Sequence, residues 1–126
     1  MIRARISTAP AAIDADAESY NVVMKAYKAA RESADGSRGI NAALRQATSV
    51  PLGVAERASE VAQIASMLRP ITNPNMSSDL TTAIALAKAA LEGALANVEI
   101  NLGSIKAEAP EDESFIRETR GRDIVN

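Results

Sequence analysis

Proton chemistry in this chain falls to a short list of groups. The 126 residues include no histidine and no cysteine, which removes thiol nucleophiles, Ser-His-Asp triads, disulfides and the usual zinc ligands together. Acid-base work is left to Asp, Glu, Lys, Tyr or a group of the substrate itself. The polar residues with the most suggestive spacing lie between Thr72 and Lys106. Asn73-Pro74-Asn75 reads as a turn, and Ser77, Ser78 and Asp79 follow as three candidate N-caps. Asn97 and Asn101 come later, in an Ala- and Leu-rich run broken only by Gly93 before Gly103. Asp79 can be a plain N-cap contributing about 1 kcal/mol, or a carboxylate that works on a ligand.

The element that must position these groups is one long helix, about 34 Å at ~1.5 Å per residue. At 100° per position, Thr81, Lys88, Glu92 and Glu99 share one side, which reads as solvated. The opposite side carries Asp79, Ala83, Leu86, Ala90, Gly93, Asn97 and Asn101, a stripe of small residues with polar groups at each end. Small residues let a neighbouring helix approach closely. A buried Asn in such an interface must find hydrogen-bond partners or lose about 1 to 3 kcal/mol, so Asn97 and Asn101 are expected to join a polar network or to line a cavity.

Two more helices are expected upstream. After a frayed start ending at Pro10, the residues Ile13, Ala17, Tyr20, Met24 and Tyr27 recur at spacings of four and three up to Ser33, the pattern of one buried stripe. Asp14, Asp16 and Glu18 sit in its first turns, where the helix dipole favours negative charge, and Lys25, Lys28 and Arg31 sit toward its end. The run from Ser33 to Gly39 reads as a loop with Asp35-Gly36 as its turn signal. A second helix follows, with Ile40, Ala43, Leu44 and Ala47 on its apolar side. It is expected to kink at Pro51 and continue to Arg69-Pro70, with Thr48 and Ser49 bonding the carbonyls that the proline frees.

Apolar residues are 47% of the chain but aromatic ones only 2%, so the interior must be built from Ala, Leu, Ile, Val and Met. That favours close-packed helices over a sheet. The expectation is one all-α domain over residues 1–126, an up-and-down bundle of three long helices plus a short or disordered C-terminal segment, with residues 1–11 and 108–126 mobile. A net charge of −2 and a pI near 5.2 give no footprint for nucleic acid. Lys88, Glu92 and Glu99 interrupt the apolar run that would have to cross a membrane, and the start lacks a secretory signal. A soluble cytoplasmic protein is expected.

The run Asn73-Pro74-Asn75, then Ser78-Asp79, then AKAALEGALANVEINLGSIK, resembles the signature of the cyclodeaminase/cyclohydrolase family. That family includes the cyclodeaminase domain of formiminotransferase-cyclodeaminase and the methenyltetrahydrofolate cyclohydrolases. Asp14 to Tyr27 is similar to its acidic helix and Leu44 to Val61 to its proline-kinked segment, so the resemblance covers about residues 13–107. It implies an all-helical, dimeric or higher homo-oligomeric protein acting on tetrahydrofolate derivatives, with no permanently bound cofactor and no metal. Members close 5-formimino-tetrahydrofolate to the 5,10-methenyl form with loss of ammonia, or hydrolyse the methenyl ring to 10-formyl-tetrahydrofolate.

By the same resemblance Asp79 is the proton-transfer group, and Asn73, Asn75, Ser78, Asn97 and Asn101 bind the substrate. Backbone N–H groups at a helix start favour a charged carboxylate, which suits stabilisation of the cationic methenyl group better than proton donation. Asn97 lies eighteen residues from Asp79, about 27 Å along the helix. The two can serve one site only if a second helix or subunit runs back antiparallel. The family's Pro-Gly-Gly-Gly type segment has no counterpart among the six scattered glycines. That departure sustains a second expectation: a truncated, non-catalytic relative acting as a helical folate-binding or protein-interaction module.

Overall fold

Pro51 stands near the middle of the helix that organises the molecule. The computed structural model describes residues 2–30, 36–122 and 124. Within them α1 runs Ile2–Ala30, α2 Gly36–Leu68, α3 Ser77–Ser104 and α4 Pro110–Arg120, with short 3-10 turns at Arg69–Ile71 and Pro74–Met76. No strand occurs among the described residues. The all-α expectation holds, and of the two forms expected for the C-terminal segment the short helix is the one found.

α2 is continuous through Pro51, which has no N–H to give the carbonyl of Ala47. The two hydroxyls before it do not replace that bond. Thr48 Oγ1 donates to the carbonyl of Leu44 at 2.7 Å and Ser49 Oγ to that of Gln46 at 2.6 Å. They bond carbonyls that lie upstream of the freed one, because a hydroxyl in a helix reaches back three or four residues and not forward.

α1 and α3 both pack along α2 and hardly touch each other among the described residues. α3 turns Ala87, Leu91, Ala94, Val98 and Leu102 inward, a stripe at spacings of three and four. One core cluster joins Leu44 and Leu52 of α2 to Val98, Leu102 and Ile105, with Val23, Phe115 and Ile116 packed on it. A second joins Ala55 and Ala58 to Leu91 and Ala94. Three alanines at that crossing leave little side-chain bulk between the two backbones, which permits a close approach.

The ends of the chain and the first helix differ from the sequence reading. α1 begins at Ile2 and continues through Pro10, where a frayed start was expected. Gly36 to Gly39 belong to α2 and not to a loop, while residues 31–35, which include the rest of that expected loop, lie outside the described residues. The stripe expected to be buried on α1 faces outward: Ile13 is 70% exposed and Tyr20 65%, and Ala17, Met24 and Tyr27 are exposed as well. The positions half-buried toward α2 are Ala15, Ser19, Val23 and Ala26, small enough to let the helices close up. The charged C-terminal segment forms α4, anchored by buried Asp112 and Thr119.

Candidate functional site

The turn between α2 and α3 and the first turn of α3 together carry four of the candidate residues. Asn73 precedes a proline, which favours an extended backbone there, and its side chain folds over the turn. Its Oδ1 accepts from the backbone N–H of Asn75 at 3.0 Å, and its carbonyl accepts from the N–H of Met76 at 2.9 Å. Asn73 is thus the cap of the 3-10 turn that feeds α3. The helix proper starts with Met76 at the capping position, without a side-chain cap. Ser77, Ser78 and Asp79 therefore do not cap α3 but occupy its first turn.

Asp79 is exposed, and among the described residues no hydrogen bond to its carboxylate occurs. It is the acidic residue of the first turn of α3. Ser78 contributes its carbonyl to the Thr82 hydroxyl at 2.9 Å, leaving its own hydroxyl at the surface. Arg69 Nη2 donates to Thr81 Oγ1 at 3.1 Å and ties the two helices together beside this edge. Asn73, Asn75, Ser78 and Asp79 therefore form an open polar edge flanked by exposed Met67, Ile71 and Met76.

Asn97 and Asn101 lie elsewhere. They sit toward the far end of α3, about 27 Å from Asp79 for Asn97 at 1.5 Å per residue, and one rigid helix cannot bring the two groups together. Among the described residues most of the small-residue stripe faces no neighbouring helix, Ala83 being half-buried. Leu86 is 67% exposed, Ala90, Gly93 and Asn97 are exposed, and Asn101 is half-buried. A Cβ added at Gly93 would meet nothing within 4 Å.

The buried polar cluster in this chain is a different one. Asn41 Nδ2 donates to the carbonyl of Lys106 at 2.6 Å and to Asp112 Oδ2 at 3.2 Å, while its Oδ1 accepts from the N–H of Lys106 at 3.2 Å. Asp112, only 3% exposed, also accepts from Arg45 Nη1 and from the N–H of Glu108. Both amide atoms of Asn41 and both carboxylate oxygens of Asp112 have partners in the chain itself, which marks the cluster as a clamp between α2 and α4. The sequence held one signal for it: Asn41 shares the inward stripe of Leu44 and Thr48 at helical spacing. No group of three or more metal-ligating side chains exists among the described residues.

The family profile described as formiminotransferase-cyclodeaminase matches residues 3–120. The chain belongs to that family. The match runs further in both directions than the segment of resemblance read from the sequence, and it takes in α4. No curated protein and no solved structure matches the chain. No helix among the described residues is long and apolar enough to cross a membrane.

Proposed function

We propose that this chain is a tetrahydrofolate one-carbon enzyme, a formimidoyltetrahydrofolate cyclodeaminase or a methenyltetrahydrofolate cyclohydrolase, at work in the cytoplasm. Membership of the family across residues 3–120 carries the reading, supported by the gathering of Asn73, Asn75, Ser78 and Asp79 at one end of α3. In ammonia loss, N10 attacks the formimino carbon on N5 and the resulting tetrahedral carbon expels ammonia once its nitrogen is protonated. In ring hydrolysis, water adds to the methenyl carbon and gives up a proton, and the bond to N5 then breaks to leave the formyl group on N10. Both paths need a proton moved beside a cation. A carboxylate at Asp79 supplies the negative charge, and positioned proton transfer of this kind contributes about 10²- to 10⁴-fold.

An exposed carboxylate is a weak catalyst unless something excludes water around it. A second copy of the chain does so in this reading, packing α3 against α3 in antiparallel register and carrying its own Asn97 and Asn101 to Asp79. The exposed apolar side chains Leu86 and Ile100 on α3 suit such a contact. The openness of the Asp79 edge in the single chain also favours a second reading, a helical module that binds folate or a protein without turnover.

The test is to mix the full chain with 5,10-methenyl-tetrahydrofolate, and separately with 5-formimino-tetrahydrofolate, and to follow the methenyl absorbance against Asp79→Asn. The enzyme reading expects a rate above buffer with one of the two, falling at least about 100-fold in the variant. Folded, helical protein with no rate above buffer overturns the enzyme reading in favour of the module.

A further inference from the structure

We infer that α4 is a strap that opens as a unit while α2 and α3 stay folded, with Asp112 as its latch and residues 107–109 as its hinge. Lys106 is held at both its N–H and its carbonyl by Asn41, so the chain is fixed up to that point. Ala109 is extended ahead of Pro110, where α4 begins. Beyond the hinge the hold on the body is mostly polar. Asp112 meets Arg45 and Asn41 at one end. Arg120 pairs with Glu99 at 3.1 Å, and Arg122 with Glu56, at the other. The apolar share of the contact is half-buried Phe115 and Ile116, which rest on the cluster containing Val98 and Leu102, and half-buried Ile124 past the end of α4, which rests on both core clusters.

The physics of charge burial makes this hold reversible. Removing one partner of a buried ion pair strands the other, but lifting α4 away returns Asp112 and Arg45 to water together, and their hydration offsets the attraction that is lost. The two distal ion pairs are exposed on both sides, and such pairs add little and are screened by salt. The latch therefore fixes where α4 docks more than how tightly. The α2–α3 contact, built on fully buried Ala55, Leu91 and Leu102, has no comparable route to open. Strap opening uncovers Val98 and Leu102, the sequence neighbours of Asn97 and Asn101, and frees the Arg45 guanidinium. None of this depends on the folate reading.

Native-state hydrogen exchange by mass spectrometry on the full chain tests it. Amides of residues 110–120 are expected to exchange at least about tenfold faster than those of residues 87–98, the signature of a sub-global opening. Raising the salt from about 0.05 to 1 M should speed α4 a further few-fold and leave residues 87–98 unchanged. Asp112→Asn should speed α4 again, and Arg120→Gln, which touches only the exposed end, should do so more weakly. Equal protection of α4 and residues 87–98 at every salt concentration overturns the proposal, as does an Asp112→Asn variant that loses protection uniformly along the chain.

Discussion

The side-chain amide of Asn41 pairs with the peptide of Lys106, 65 residues on, through both of that residue's backbone groups. A side chain on α2 thereby does for the segment after α3 what a neighbouring strand does in a sheet. Asn41→Ala strips both partners from a part-buried peptide and one from buried Asp112. It is expected to destabilise the protein by about 2 to 4 kcal/mol, since unsatisfied buried groups lose about 1 to 3 kcal/mol each, as read from urea unfolding midpoints. Asn41→Asp should be worse still, because it keeps the acceptor, loses the donor, and sets a second carboxylate against Asp112.

Gly93→Ala separates the demands of the single chain from those of an assembly. Nothing stands within 4 Å of the added Cβ and the helix carries no positive φ. Stability by denaturation should rise by about 0.5 to 1 kcal/mol, the difference in helix propensity. A second helix crossing at Gly93 would be pushed away by the same methyl, so the variant should gain in unfolding midpoint at high dilution and lose self-association at high concentration.

Leu86→Lys and Ile100→Lys probe the same face more strongly. Each replaces an exposed side chain, so the folded single chain should change by no more than about 0.5 kcal/mol. Light scattering of the two variants should show a lower mass than the parent chain at equal concentration. Unchanged mass in both would mean that this face of α3 is not where copies meet.

Complementation tests whether Asp79 and Asn97 serve one site from two copies. Asp79→Asn and Asn97→Ala are each expected to be inactive alone. Co-refolded in equal amounts, they should recover about one quarter of the parent activity, because half of the random pairs are mixed and one of their two symmetric sites is intact. No recovery, with mixed pairs demonstrated by mass spectrometry, would place Asn97 outside the site.

Much of the architecture was legible because long helices announce themselves. The run from Ser77 to Ser104 is rich in strong helix formers, and the inward Ile40, Ala43, Leu44 and Ala47 of α2 stand where periodicity put them. The same periodicity misplaced α1. A stripe of Ile13, Tyr20, Met24 and Tyr27 has the right spacing for a core, but spacing says only that those residues share a face. It does not say that α2 packs on that face, and the adjoining line of Ala15, Ser19, Val23 and Ala26 offers a closer approach. The turn at Asn73 to Asn75 and the start of α3 were legible as local patterns, because a turn and a helix start are short-range events. The Asn41–Asp112 contact joins residues 71 apart, and nothing in either neighbourhood names the other.

The outward turn of α1 has a spectroscopic consequence. The chain has no tryptophan and two tyrosines, and both tyrosines lie on the exposed side of that helix, Tyr20 at 65% and Tyr27 at 41%. Unfolding changes the surroundings of Tyr20 little and those of Tyr27 only in part, so their emission should change much less than the helical circular dichroism through a denaturation. Quenching or enhancement on raising the protein concentration would instead signal that α1 has been covered. In this molecule the intrinsic chromophores watch the outside.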